Sequence, residues 1–368
     1  MPSAISPELP KWKRPAKTSV ALDWADISVI DLSTFDEPGG KEKLAEELRH
    51  AVQTTGFFSV TGTGFTDEEV TRQYSIGQAY FNRPLEEKAK PELRCDFGKG
   101  NYFGYRAANE KRIQGTEVLD NIESVNIPKF IPQLASEPRD SFFDPYLSEI
   151  EEFSRRSLAI ASKIFTLFAL ILELPPDYFS SRHAYESKSE DHLRYMLYHP
   201  RPEEQDALVQ NTWSRAHTDF GSLTLLWSQN VAGLQIKTFD GTWKYIPPVD
   251  GGIICNVGDA LQFWSKGYLK STIHRVVRPP PDQVDGDRLG LFYFVRPGDN
   301  VDIAPAPSPL LRRLGLITDA ELQNDRPKVT GLQYVRERVK NYHDHTDYAD
   351  RKGQKFRVGD LEIEDEAA

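Results

Sequence analysis

The most informative part of this chain begins Arg215-Ala216-His217-Thr218-Asp219-Phe220-Gly221. It continues Gly252-Ile253-Ile254-Cys255-Asn256-Val257-Gly258-Asp259, then Ser271-Thr272-Ile273-His274-Arg275-Val276-Val277, and ends Asp287-Arg288-Leu289-Gly290-Leu291-Phe292-Tyr293-Phe294. Short runs rich in β-branched and aromatic residues, bounded by Gly, Pro and Asp, are typical of strands. These runs therefore predict strands that carry two histidines, an aspartate and an arginine.

His217 and Asp219 are two residues apart, so their side chains share one face of an extended segment. His274 lies 55 residues beyond Asp219, and two hairpins can bring it back beside them. Neutral imidazole with carboxylate, and no thiolate, is the ligand set of a non-haem iron(II) site with open positions. The alternative is structural, with an aspartate in a turn and two histidines bonded to the backbone. A second His-x-Asp, His345-Thr346-Asp347, is polar, has no later histidine and predicts exposed surface.

Arg288 shares one face of its predicted strand with Gly290, Phe292 and Phe294. A guanidinium at the base of an aromatic pocket needs an anionic partner, because an unpaired buried charge is strongly destabilising. A dicarboxylate co-substrate could supply that partner through a bidentate pair. The alternative is a structural ion pair with one of the many acidic residues.

Arg194, Met196 and Tyr198 share a strand face by the same alternation. The Tyr198 hydroxyl could then bond to the carboxylate that Arg288 holds. Periodicity alone fits equally well with a core tyrosine whose hydroxyl reaches the surface.

Composition narrows the class of protein. The 368 residues carry a formal charge of −10, which argues against nucleic acid as a partner. Cys95 and Cys255 are far apart, which argues against a disulfide framework or a thiolate metal site and suits a reducing compartment. The N-terminus shows no secretory signal, and the run from Ile164 to Leu174 is too short to span a bilayer. We therefore expect a cytoplasmic protein that acts on a small molecule, without a nucleic acid or membrane partner.

Helical patterns precede a series of short strands. Helices are predicted at 41–54, 67–80 and 144–174, and about eight strands follow between 193 and 295. This order indicates an α+β fold whose strands close as a double-sheet jelly roll. The predicted organisation is a loose arm at 1–20 and one domain at 21–358, with a helical part at 21–190, a jelly-roll core at 191–297, a connector and closing helix at 298–346, and an acidic tail at 359–368.

Several motifs together resemble one family. They are Ile30-Asp31-Leu32, Gly56-Phe57-Phe58-Ser59-Val60, Gly104-Tyr105, Tyr198-His199-Pro200, His217-Thr218-Asp219, Asn256-Val257-Gly258-Asp259 and Ser271 to Val276. The chain is similar to the isopenicillin N synthase-like branch of the iron(II)/2-oxoglutarate-dependent dioxygenases. The resemblance implies a distorted jelly roll, also called a double-stranded β-helix, with iron(II) on His217, Asp219 and His274.

The same resemblance implies 2-oxoglutarate on Arg288 and Tyr198, with O2 as the oxidant. The reaction would hydroxylate, desaturate or cyclise a small organic metabolite, in secondary metabolism. Two alternatives stay open. One is an oxidase of the isopenicillin N synthase type that uses no 2-oxoglutarate, and the other is a metal-binding jelly roll without activity.

The chain departs from the family at two positions. Gly290 stands where the family usually has serine, and Met196 where many members have asparagine. From the sequence, a Gly290→Ser change is expected to be tolerated or to tighten 2-oxoglutarate binding. Aromatic walls and cationic corners are expected around a substrate that contacts Tyr102, Phe103, Arg194, Met196, Phe294, Tyr334 and Arg338.

Overall fold

The computed structural model describes residues 7–113, 115–323, 328–343, 355–359 and 361–364. Within them the strands are β1 (Val29–Asp31), β2 (Phe57–Thr61), β3 (Gly104–Arg106), β4 (Ile122–Pro128), β5 (His192–Tyr198), β6 (Thr212–His217), β7 (Leu223–Trp227), β8 (Leu234–Lys237), β9 (Trp243–Tyr245), β10 (Ile253–Val257), β11 (His274–Val277), β12 (Arg288–Val295), β13 (Lys355–Val358) and β14 (Leu361–Glu364). The helices are α1 (Gly40–Thr54), α2 (Asp67–Phe81), α3 (Leu85–Lys88), α4 (Leu147–Ile171), α5 (Glu203–Leu208), α6 (Asp259–Trp264), α7 (Pro309–Arg313), α8 (Asp319–Leu322) and α9 (Gly331–His343), with short 3-10 turns between them.

The strands predicted between 193 and 295 divide between two sheets. The larger sheet has the order β1-β2-β10-β7-β12-β5-β4-β3, and the smaller one has the order β6-β11-β8-β9. Apart from the parallel pair β1 and β2, neighbouring strands in both sheets run antiparallel. One apolar cluster joins the sheets through side chains of both, including Phe57, Leu226, Ile254, Trp213, Ile236 and Val276. The predicted α+β jelly roll is confirmed.

Helices cover the other face of the larger sheet. Leu48 of α1, Ile76 of α2 and Ile164 of α4 belong to the same buried cluster as the β12 residue Tyr293. Helix α2 begins with a capping box, in which Thr66 and Glu69 satisfy each other's backbone N–H groups. The cavity that holds the predicted site lies on the opposite, inner face. No helix in the described ranges is both long and apolar enough to cross a membrane.

The predicted loose arm is wrong for residues 7–20, because they pack against the domain. Trp12 is buried, its ring stacks on Tyr74 with centroids 4.2 Å apart, and its backbone N–H donates to Ser75 Oγ at 2.9 Å. Arg14 pairs with Asp67 at 2.6 Å. A buried aromatic residue anchors this otherwise polar segment.

The C-terminal prediction also needs correction. Within the segment expected to be an acidic tail, β14 pairs antiparallel with β13. The second His-x-Asp, at residues 345–347, lies outside the described residues.

Candidate active site

Three side chains that can bind a metal ion converge at the end of the smaller sheet. His217 closes β6 and His274 opens β11, and the antiparallel register places these two residues opposite each other. Asp219 follows two residues after β6. The Nε2 atoms of both histidines lie 3.8 Å from Asp219 Oδ1, and the candidate ligand atoms are all within 4.8 Å of one another. The predicted grouping of the three residues is therefore present.

Hydrogen bonds orient these three side chains. Nδ1 of His217 donates to the Arg215 carbonyl at 2.8 Å, and Nδ1 of His274 donates to the Thr272 carbonyl at 3.0 Å. The Nε2 atom of each neutral imidazole therefore carries no proton and has a lone pair available for a metal ion.

Hydrogen bonds also orient the Asp219 carboxylate. Asp219 Oδ2 accepts from Thr224 Oγ1 at 2.6 Å and from Asn256 Nδ2 at 2.7 Å. Oδ1 is left beside the two imidazoles. Two neutral imidazoles and one carboxylate oxygen, each fixed by a partner behind it, fit an iron(II) ion with open coordination positions.

Electrostatics favour the protonation states that bind metal. Burial, followed by the neighbouring charge of His274, lowers the pKa of His217 to about 3. Burial by itself raises the pKa of Asp219, but the two histidines and the bonds from Asn256 and Thr224 lower it to about 2. A neutral imidazole and an ionised carboxylate are the forms required of ligands.

Arg288 and Tyr198 line the same cavity. They lie opposite each other on β12 and β5, and the Arg288 guanidinium carbon is 5.3 Å from the centre of the Tyr198 ring. Arg288 is 4% exposed, and its Nε donates to the Val231 carbonyl at 3.3 Å. No carboxylate oxygen of the described residues lies within ion-pair distance of Arg288. Burial lowers its pKa, as expected for a guanidinium without a counter-ion.

The residues expected around the substrate divide into two groups. Tyr102, Arg194, Met196 and Phe294 line the cavity. Phe103 does not, because it packs in a separate cluster with Ile131 and Leu134.

The two expected residues of α9, Tyr334 and Arg338, do not line the cavity either. The Tyr334 hydroxyl donates to Asp259 Oδ2 at 2.9 Å, and Arg338 Nη2 donates to the same oxygen at 3.3 Å. The carboxylate at the start of α6 thus holds both side chains. Later residues of the same helix, Tyr342 and His343, line the cavity instead.

Sequence reasoning missed several other lining residues, among them Arg215, Phe220, Asn256, Thr224 and Arg296. A signal for Arg296 was available. It continues the alternation that puts Arg288, Phe292 and Phe294 on one face, one step beyond the end of β12.

The geometry agrees with comparisons to known proteins. A family model described as the 2OG-Fe(II) oxygenase superfamily matches residues 190–297, and one described as non-haem dioxygenase in morphine synthesis N-terminal matches residues 27–145. The UPF0676 protein C1494.01 of Schizosaccharomyces pombe is 30% identical over 287 residues, which cover 76% of this chain and 84% of that protein. The chain belongs to the 2OG-Fe(II) oxygenase superfamily. It is an oxidoreductase that uses iron(II), 2-oxoglutarate and O2.

Two further proteins are similar to this oxygenase, one in sequence and one in structure. A homoarginine-6-hydroxylase of Oryza sativa subsp. japonica is 29% identical over 316 residues, which cover 79% of this chain and 90% of that one. A full-length Neurospora crassa protein, crystallised in complex with alpha-KG, superposes with a TM-score of 0.73 at 24% identity, covering 88% of this chain and 99% of that one. The second similarity establishes the shared fold.

Proposed function

We propose that His217, Asp219 and His274 hold the iron(II) of this oxygenase, and that Arg288 and Tyr198 hold the far carboxylate of 2-oxoglutarate. The observation that carries the proposal is the buried, unpaired guanidinium of Arg288 in the same cavity as the three converging ligand atoms. Iron(II) and 2-oxoglutarate, when bound, supply the activation of O2 that oxidises a C–H bond of the substrate.

The chain's own residues bind, orient and exclude water. The Arg288 guanidinium is a planar donor that can bind a carboxylate through two parallel bonds, and Tyr198 lines the same cavity. Met196, Phe292 and Phe294 cover the inner face beyond them with apolar surface. Such a wall limits access of water to the reacting centre.

We further propose that the substrate is a small organic metabolite and that the reaction is a hydroxylation. The hydroxylase activity in the name of the rice relative supports this reaction type. The proposed role is in secondary metabolism. A location in the reducing cytoplasm is consistent with the two free cysteines. Membership of the oxygenase superfamily favours an enzyme over a metal-binding jelly roll without activity.

The ratio of succinate formed to substrate oxidised distinguishes the proposed function from that of an oxidase that needs no 2-oxoglutarate. We expect one succinate to form for each substrate oxidised, and no turnover when 2-oxoglutarate is left out. Product formation without succinate would instead support the oxidase.

The bonds to Asp219 lead to a prediction about metal affinity. Asn256→Ala should weaken iron(II) binding about 10–100-fold, because the carboxylate loses one of the donors that orient it. Asn230→Ala is a matched control, since Asn230 bonds to the Pro15 carbonyl outside the site. Equal iron(II) affinity of the two variants in anaerobic titrations would contradict this role for Asn256.

The structure also changes the expectation for Gly290. A Cβ at this position would lie 2.5 Å from Cε2 of the Phe292 ring, so the ring occupies the space that a serine needs. We expect Gly290→Ser to destabilise the protein by about 1–3 kcal/mol through overpacking, rather than to be tolerated. Thermal unfolding should show recovery when Phe292→Val is added to Gly290→Ser. A single variant as stable as the wild type would refute this account.

A further inference from the structure

Arg296 is a buried cation whose side chain has no hydrogen-bond or ion-pair partner in the part of the chain that the structure describes. It is 3% exposed, and its side chain forms no hydrogen bond or ion pair with the described residues, with Nε and Nη1 both fully buried. The side chain lines the cavity, with the Phe220 and Phe294 rings 5.6 and 5.7 Å from its guanidinium carbon. A buried guanidinium in this state is strongly destabilising unless an anion joins it.

Arg194 lies against the same aromatic ring. Its guanidinium carbon is 4.3 Å from the centre of Phe294 and 4.6 Å from the centre of Tyr102. Nε donates to Asn126 Oδ1 at 2.6 Å and Nη2 contacts His192 Nε2 at 3.2 Å, which fixes the plane of the group. Neither contact brings a negative charge.

Neither carboxylate close to this pair forms an ion pair with it. Glu190 Oε1 accepts from Arg336 Nε at 3.1 Å, its Oε2 has no hydrogen-bond partner among the described residues, and burial raises the pKa of Glu190 to about 7, which reduces its charge at neutral pH. Asp219 is assigned to iron by the proposed function. Of the other arginines that line the cavity, Arg106 pairs with Asp120, Arg215 lies over the Tyr342 ring with its guanidinium carbon 3.9 Å from the ring centre, and Arg288 is assigned to the co-substrate.

We propose that Arg296 and Arg194 form a second anion site, which binds the carboxylate of the substrate. The substrate is then a small carboxylic acid whose apolar body lies along Phe292 and Phe294, with the C–H bond to be oxidised directed toward the three metal ligands. This inference rests on the proposed function, which places iron and 2-oxoglutarate elsewhere in the cavity.

Heat stability tests the site without knowledge of the substrate. Arg296→Met should unfold at the same temperature as the wild type or higher, because it removes an unpaired buried charge. The matched control is Arg201→Met, since Arg201 is a buried arginine bonded to Asp206 at 2.9 Å. That variant should lose about 5 °C or more. A similar loss in Arg296→Met would mean that Arg296 supports the fold, and would overturn the proposal.

Ligand binding tests the chemistry. The full chain, loaded with iron(II) and 2-oxoglutarate without oxygen, is titrated calorimetrically with phenylacetate and cinnamate, and with the primary amide of each acid. At least one acid should bind the wild type roughly 30-fold more tightly than its amide. Arg296→Met should bring that ratio close to one. Acids that bind no better than their amides, or a ratio that survives in Arg296→Met, would overturn the proposal.

The co-substrate distinguishes failure of this inference from failure of the proposed function. The affinity of Arg296→Met for 2-oxoglutarate should remain within about threefold of the wild type, because the proposed site of the co-substrate is at Arg288 and Tyr198. If Arg296→Met loses 2-oxoglutarate while Arg288→Ala keeps it, Arg296 grips the co-substrate, and both assignments are wrong. If only the acid-to-amide selectivity fails to appear, the assignment of Arg288 still stands.

Discussion

Asp219→Ala is expected to abolish turnover and to weaken iron(II) binding more than about 100-fold, because even outer partners of metal ligands contribute about 10–100-fold. The change removes the only carboxylate among the three converging ligands and leaves two neutral imidazoles. His217→Ala and His274→Ala should have the same effect. Iron content after anaerobic loading, together with succinate formation, measures the loss.

A control on a distant histidine makes this result specific. His50 lies exposed on α1, so His50→Ala should bind iron and turn over like the wild type. Circular dichroism should show that each ligand variant is folded. Full iron-dependent activity in His274→Ala would refute the assignment of the site.

Arg288→Ala is expected to raise the 2-oxoglutarate concentration needed for turnover by between about 30-fold and several thousandfold. This range corresponds to the roughly 2–5 kcal/mol lost when one partner of a buried charge pair is removed. Arg288→Lys should recover only part, because an ammonium group cannot reproduce two parallel bonds. Steady-state kinetics and direct titration of 2-oxoglutarate both measure the effect.

Arg155, an exposed arginine, provides the control for Arg288→Ala. Arg155 pairs with Glu151 and Glu186 at the surface, so Arg155→Ala should leave the 2-oxoglutarate requirement unchanged. Iron(II) should still bind to Arg288→Ala. An unchanged 2-oxoglutarate requirement in Arg288→Ala would exclude this arginine as the anchor.

Local patterns predicted most of the strands of the jelly roll, because alternation with a period of two is visible in a single segment. Strand β4 escaped the prediction because its residues do not alternate. It carries Glu123, Ser124 and Asn126 in buried positions. Glu123 is tolerated there because it pairs with Lys88 at 2.8 Å, a contact between distant segments.

The residues of the site likewise divide into those that local patterns predict and those that depend on contacts between distant segments. His217, Asp219 and Arg288 follow from spacing, strand parity and the resemblance to a family. The positions of the buried Tyr334 and Arg338 side chains depend on Asp259, which lies more than seventy positions earlier in the chain. The docking of Trp12 depends likewise on Tyr74. Contacts between residues that are distant in sequence cannot be predicted from the pattern of one segment.

The packed N-terminal segment has a consequence for the order of events during synthesis. Lys17 bonds to Asp250 at 2.8 Å, and the Ser19 N–H donates to Asp282 at 2.7 Å, partners that leave the ribosome 233 and 263 residues later. This segment therefore has no complete binding surface until more than 260 further residues have been made. We expect it to attach among the last folding steps and, since these contacts are exposed, to exchange its amide hydrogens sooner than the sheets do.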